Sequence, residues 1–244
     1  MINNKRILCI ITARKNSKGL SNKNIKKLNG KPLVSWPILT GLESKYIDDV
    51  IVSTDCNDIS DIAKNYGAKV PFIRPANLAE DDSLSSDVIL HALSFDMIKS
   101  KNYDYFVLLE PTSPLTESTD VDAALEKVIE NKYSSLVSVT KVTGSHPSFC
   151  VELLENKIMI PFDKKSIKNI ARRQDVRPLY NYDGSLYVSN VKEFIKNKSL
   201  FHDKTAGFVM PSWKSIEIDS LLDFYIVETI LKNKVEISEA SNET

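Results

Sequence analysis

Glycine is scarce in this chain, at seven of 244 residues, and its few copies form neither GxxxxGKS/T nor GxGxxG. That sets aside the Walker A loop and the dinucleotide-binding turn as ways of holding a nucleotide. Only three cysteines occur, Cys9, Cys56 and Cys150, with no CxxC pair among them. An odd, scattered set builds no disulfide framework, so a reducing, cytoplasmic setting is expected, and Cys9 within ILCII reads as a core residue. The three histidines, His91, His146 and His202, are dispersed and no HExxH is present, which argues against zinc chemistry. The absence of GxSxG disfavours a serine hydrolase. No run reaches the roughly 18 apolar residues of a membrane span. The opening MINNKR lacks the apolar core and cleavage site of a secretory signal. Excess charge is also missing, because 32 basic side chains balance 32 acidic ones. Without a surplus of cations there is no bulk reason to bind nucleic acid or an anionic membrane. Any anion must be gripped by a local cluster.

What is present alternates strand with helix. The apolar run 7–13 predicts a strand buried on both faces of a parallel sheet, and a basic loop over 14–28 follows it. Pro32 predicts a helix over 32–44 that tolerates Pro37 only as a kink or a late start. DVIVST at 49–54 is a second buried strand, and 55–58 offers a cap for a helix over 59–66. A third strand is expected at 69–73, an amphipathic helix at 83–99, and a fourth buried strand, YFVLL, at 105–109. Residues 118–120 cap a helix at 121–131, and 135–142 is another strand. Such alternation predicts an α/β domain with a mostly parallel sheet.

From 143 to 179 the helical periodicity disappears. Short segments at 149–154 and 157–160, separated by Glu155-Asn156, read as a hairpin. The excursion is too long for a connector, which predicts a protruding segment or a contact with another subunit. Strands return at 185–189 and 207–210, a helix closes the fold at 221–232, and 236–244 is expected to be a polar, frayed tail. The organisation expected is one domain over 1–235 carrying the excursion.

Three constellations carry chemistry. The loop from Arg14 to Asn24 leaves the carboxyl end of the first strand, where ligands bind in open parallel sheets. It brings four cations, a hydroxyl and one Gly, the parts needed to hold a triphosphate and neutralise a departing pyrophosphate. Position and density alone leave a solvated basic loop equally open. Ser53-Thr54-Asp55 and Glu110-Pro111-Thr112-Ser113-Pro114-Leu115 follow two further strands, and each alone is readily a cap or a turn. In Ser215-Ile216-Glu217-Ile218-Asp219, strand spacing puts Glu217 and Asp219 on one face. Such a pair suits a hard cation such as Mg²⁺ sharing phosphate oxygens, or else an exposed strand face, or Asp219 capping the next helix.

Taken together, ITARKNSKGLSNKNIKKLNGKPL, IVSTD, RPANLAEDDSLSSD, LLEPTSPL, NYDGSLYVSN and SIEID resemble the CMP-sialic acid synthetases, or acylneuraminate cytidylyltransferases, across nearly the whole chain. The resemblance implies a Rossmann-like nucleotidyltransferase domain with a protruding dimerisation segment, hence a homodimer. It implies CTP and a nonulosonic acid, N-acetylneuraminate or a relative such as legionaminate, as substrates, and Mg²⁺ as cofactor. By the same resemblance Arg14, Lys18, Lys23 and Asn24 meet the CTP phosphates and ribose, while Arg74 and Ser85 hold the nucleotide. Glu110, Arg173, Asp183 and Tyr187 fall in the sugar region, Phe201 completes a partner's sugar site, and Glu217 and Asp219 are the metal carboxylates. Three departures stand out. Glu217 replaces the usual Asp, Glu110 the usual Gln, and Phe149 stands near a position that is often basic. A sugar 1-phosphate nucleotidyltransferase shares the architecture, although such enzymes open on a loop richer in glycine. A non-catalytic nucleotide-binding protein is the reading from another class.

Overall fold

Ile7, Cys9 and Ile11 point to one face of β1 (Ile7–Thr12), Leu8 and Ile10 to the other, and all five are fully buried. Only a strand covered on both sides can be apolar at every position, and this fixes β1 at the centre of a layered structure. The computed structural model describes residues 2–16, 19–162, 172 and 175–242. Its remaining strands are β2 (Lys27–Leu28), β3 (Lys31–Pro32), β4 (Asp49–Ser53), β5 (Tyr105–Leu109), β6 (Ser135–Lys141), β7 (Val151–Leu153), β8 (Met159–Pro161), β9 (Tyr180–Asn190) and β10 (Thr205–Met210). The α-helices are α1 (Ser35–Glu43), α2 (Asn57–Asn65), α3 (Ser85–Ser94), α4 (Asp96–Lys99), α5 (Ser118–Glu130), α6 (Val191–Asn197), α7 (Leu221–Lys232) and α8 (Lys234–Asn242).

Six strands form the main sheet in the order β10-β6-β9-β5-β1-β4. β1 pairs parallel with both β4 and β5, and β10 pairs parallel with β6. β9 alone runs the other way, antiparallel to β5 and β6. One face packs on α1, α2 and α5 through Ile38, Ile59 and Leu125, and the other on α3, α4 and α6 through Ile89, Ile98 and Phe194. A third cluster gathers Leu28, Leu33, Leu115 and Ile218 under Phe224, Val227 and Ile230 of α7. It anchors the segment before α7 to the main body, which matters for the site.

The differences from the sequence reading have local causes. Residues 69–73 form no strand. Lys69 makes two backbone hydrogen bonds with Val50 and Val52, and Pro71 then has no N–H to continue a ladder. The helix expected over 83–99 divides at Phe95, whose extended backbone turns its ring onto Phe72. α1 starts late, at Ser35, so that Pro37 falls in the first turn, where a missing donor costs nothing. The cap of α5 is Glu117, in a reciprocal box with Asp120, one residue earlier than expected. β9 is longer than its expected core because it bulges opposite Val137–Val139. The tail is not frayed over 236–242: α8 is a helix whose Ile237 packs on the third cluster and whose Lys234 pairs with Glu117.

Candidate active site

β1, β4, β5, β6 and β10 all end on the same edge of the sheet, and the chain crosses from β4 on one side of β1 to β5 on the other. That switch leaves a crevice between the loops that follow β1 and β5. Thr12 Oγ1 spans it, donating to Glu110 Oε2 at 3.0 Å. The crevice opens into a cleft of about 350 Å³ lined by Arg14, Lys23, Asn24, Arg74, Ser85, Glu110 and Asp219, among others.

One wall is cationic. The Asn24 amide donates to the carbonyl of Arg14 at 2.8 Å, and Lys15 N–H donates to Asp55 Oδ1 at 2.8 Å, so the basic loop is held at both shoulders. Arg14 Nη1 lies 2.6 Å from Asp81 Oδ1. Lys23 is nearly buried, and its ammonium donates to the Ile218 carbonyl at 2.6 Å and to Asp219 Oδ1 at 3.1 Å. It ties the basic loop to the acidic segment across the cleft. Arg74 is only 5 % exposed, yet its Nε and Nη2 have no hydrogen-bond partner among the described residues. Buried donors are nearly always paired. Two that are not, on a cation facing a cleft, mark where a polar ligand belongs.

The other wall is acidic. Burial pushes Glu110 up to about 7, with the charge of Glu217 adding to the shift and the Thr12 hydrogen bond opposing it. Glu217 is also raised, by burial first and then by Asp219 and Asp183. Tyr187, reached from β9, is pushed up to about 12 by burial and by Glu110 and Glu217. Asp183 is buried and already engaged, accepting from Ser138 Oγ, from Ser185 N–H at 3.1 Å and from Ser215 Oγ at 2.9 Å. Gly184 beside it has φ +67°, and a Cβ there would collide with the Glu217 carboxylate. Glycine is therefore required twice over, for its dihedral and for the close approach. Gly19 is a second such place, where a Cβ would strike the Asp219 carbonyl.

Residues 215–219 are not a strand. Ile218 N–H donates to the Thr112 carbonyl at 2.8 Å and its side chain is fully buried, which leaves Glu217 and Asp219 on either side of a fixed anchor. Asp219 does not cap α7, because Ser220 does, in a box with Asp223. No three His, Cys, Asp or Glu side chains among the described residues are arranged as a ready metal cage. Glu217 and Asp219 still fit a hard cation that takes one or two carboxylates and completes its shell from phosphate and water. Such an ion would relieve the repulsion from Asp219 and Asp183 that adds to burial in raising Glu217.

Seven of the sequence candidates thus line one cleft, and Asp183, Tyr187 and Glu217 stand beside it. Lys18 and Arg173 lie outside the described residues. Phe201 does not line the cleft of its own chain. It follows α6 at the amino edge of the sheet, against Tyr182 and beside Tyr105 and Asn190. Phe149 turns toward His146 in a short turn and is not on the cleft either. Thr12 and Asp81 were not foreseen, since their partners are remote in sequence and leave no spacing signal.

The family model described as cytidylyltransferase matches residues 8–210. The chain is 33% identical over 226 residues to the pseudaminic acid cytidylyltransferase of Campylobacter jejuni, covering 92% of this chain and 96% of that one. It is 34% identical to the N-acylneuraminate cytidylyltransferase of Escherichia coli over 94% of this chain and 53% of that longer protein. With the CMP-N,N'-diacetyllegionaminic acid synthase of Legionella pneumophila it shares 33% identity over 93% and 97% of the two chains. A solved CMP:2-keto-3-deoxy-manno-octonic acid synthetase complexed with CTP superposes with a TM-score of 0.67 at 14% identity, covering 94% of this chain and all of that one, which speaks for the fold. A match that runs from β1 to the end of β10, joined by these relatives, makes the chain a member of the cytidylyltransferase family.

Proposed function

We propose that this cytidylyltransferase joins CTP to a nonulosonic acid, giving the CMP-sugar and pyrophosphate. The observation that carries it is the polarity of the cleft, with Arg14, Lys23 and Arg74 on one side, Glu110 and Asp219 on the other, and Glu217 beside them. A triphosphate is attracted to the first wall, and a polyhydroxylated acceptor finds hydrogen-bond acceptors on the second. Relatives named for pseudaminic, N-acylneuraminic and diacetyllegionaminic acids stand at 33–34% identity, which supports the class of acceptor without choosing within it.

In this reading the anomeric hydroxyl oxygen of the sugar attacks the α-phosphorus of CTP. The new O–P bond forms as the bond to pyrophosphate breaks, and the hydroxyl proton passes to the acidic side of the cleft. Such chemistry depends on positioning and electrostatics, and no protein nucleophile is required. Arg14 and Lys18 offset charge on the transferred and departing phosphates, Lys23 holds the two walls in register, and Arg74 and Ser85 seat the nucleotide. Glu110, Arg173, Asp183 and Tyr187 border the acceptor. Glu217 and Asp219 would hold Mg²⁺, which when bound supplies charge neutralisation at the phosphates.

A homodimer is part of the proposal. The β7–β8 hairpin exposes Val151, Leu153, Met159 at 66% and Phe162 at 71%, an apolar surface that its own body leaves uncovered and a second copy suits. Phe201 then serves the partner's sugar site. Three free cysteines support a reducing, cytoplasmic setting.

The decisive experiment is the product mass after incubation with CTP, Mg²⁺ and a panel of nonulosonic acids. A CMP-sugar and stoichiometric pyrophosphate are expected. Turnover with sugar 1-phosphates alone would sink the proposal.

A further inference from the structure

Arg14 stands between two spaces. On one side is the cleft, and on the other a neighbouring hollow bordered by Asn16, Asp55, Glu80, Asp81 and Asp82. Its Nη1 is 2.6 Å from Asp81 Oδ1, and both side chains are partly open to solvent, at 30% and 42%. The backbone beneath Arg14 is fixed by Asn24, and that of Lys15 by Asp55, so only the guanidinium has freedom to choose its partner. Asp81 belongs to the stretch that joins Arg74 to α3, and Glu80 and Asp81 line the cleft together with Arg14. A carboxylate and a phosphate present the same planar pair of acceptor oxygens to a guanidinium fork.

We propose that Asp81 is a positioning residue that sets the affinity for nucleotide phosphates by competing with them for the Arg14 guanidinium. The inference rests on Arg14 being a phosphate ligand, as in the function proposed above. The carboxylate keeps the fork extended at the cleft mouth, and an arriving phosphate takes it over. Because the pair is half-exposed, its strength is modest and a doubly charged phosphate wins the exchange. The same contact restores the fork once pyrophosphate leaves, so Asp81 weakens substrate and by-product alike. An interaction that weakens ground state and transition state equally acts on KM and leaves kcat in place.

Asp81→Asn tests this directly, assayed with CTP as varied substrate and inorganic pyrophosphate as inhibitor. KM for CTP and the inhibition constant of pyrophosphate are expected to fall together, by about three- to fivefold at low ionic strength, the size of an exposed ion pair, with kcat little changed. Added salt should shrink the difference between variant and parent. Asp81→Glu, which keeps the carboxylate, should restore the parent constants. Asp82→Asn removes the same charge one residue away and should move KM less. An unchanged or raised KM in Asp81→Asn would overturn the idea, as would an equal effect from Asp82→Asn, since general electrostatics would then suffice. Arg14→Ala separates the two layers of the argument. A CTP affinity unaltered there defeats both the phosphate role of Arg14 and the competition. A loss there, with Asp81→Asn silent, defeats the competition alone.

Discussion

The two edges of the sheet treat acidic side chains in opposite ways. At the amino edge Asp49 receives Lys101 at 2.7 Å together with Lys69 and Tyr103, and Asp104 receives Lys5 at 2.9 Å and the Arg6 N–H at 3.0 Å. Burial opposes ionisation of Asp49, but those hydrogen bonds win and hold it down at about 2. Asp104 is likewise lowered: burial pulls it up, and the Arg6 N–H and Lys5 outweigh that pull. At the carboxyl edge Glu110 and Glu217 are buried without enough positive charge, and both are raised. Arg74 there has Asp55 Oδ1 4.0 Å from its Nη2, too far for a hydrogen bond, and its Nε and Nη2 donate to nothing among the described residues. At one edge the charges are satisfied within the protein, while at the other carboxylates are raised and donors are left without hydrogen bonds. Local electrostatic discomfort of this kind is a feature of functional sites, and its location here agrees with the topology.

Removing charge should have opposite consequences at the two edges. Glu217→Ala and Asp219→Ala should lower turnover by about a hundredfold or more, as loss of a preorganised charge does. Glu217→Ala should be as thermally stable as the parent or more so, because a buried, repelled carboxylate is removed, whereas Asp219→Ala should be slightly less stable, because it gives up the ion pair with Lys23. Pyrophosphate release and a melting curve check both halves, and a variant that is stable and fully active would end the active-site assignment. Gly184→Ala comes next, losing both turnover and stability, since the new Cβ needs the space of the Glu217 carboxylate and a strained φ. Asp49→Asn should reverse the first pattern, costing about 1–3 kcal/mol in a denaturant titration with kcat/KM intact.

The pH dependence sharpens the contrast further. Asp49 ionises more easily folded than unfolded, so its contribution is present above its ordinary value of 3.8 and is lost as pH falls toward 2. Glu110 has the opposite sign, and folding is penalised progressively as pH rises from its ordinary 4.5 to about 7. Glu110→Gln should reduce that upper slope, to which the raised Glu217 also contributes, and change which acceptor sugars are used, which melts across pH and a substrate panel would reveal. Lys5→Ala is the smallest change, lowering the melting temperature only slightly and leaving the rate intact, because its pair with Asp104 is half-exposed and the Arg6 N–H still supports that carboxylate.

Much of the carboxyl edge can be read from sequence because its parts are strand followed by polar loop. Apolar runs place β1, β4 and β5, and α7 falls at Leu221–Lys232 as its spacing predicts. Arg14, Lys23, Asn24, Arg74, Ser85 and Glu110 then arrive together because parallel strands must end together. β9 is harder. It reverses direction and bulges at Gly184, so its alternation is interrupted where the site needs it. α6 passes unnoticed in sequence although Asn190, which accepts from Lys192 and Glu193 N–H groups, is a cap signal that could have found it. Asp81 against Arg14 and Thr12 against Glu110 are pairings across loops, and no periodicity encodes them. The amino-edge cluster on Asp49 is equally silent, its partners being 20, 52 and 54 residues away.

The tie from Lys23 to the Ile218 carbonyl joins positions 195 apart in the chain. During synthesis the first wall of the cleft therefore cannot meet the second until residue 218 has left the ribosome. A chain cut between β10 and residue 217 would retain the whole central sheet and yet have no anchored acid pair. The sheet and the acid pair thus depend on different lengths of the chain, and only the second needs the anchor at Ile218.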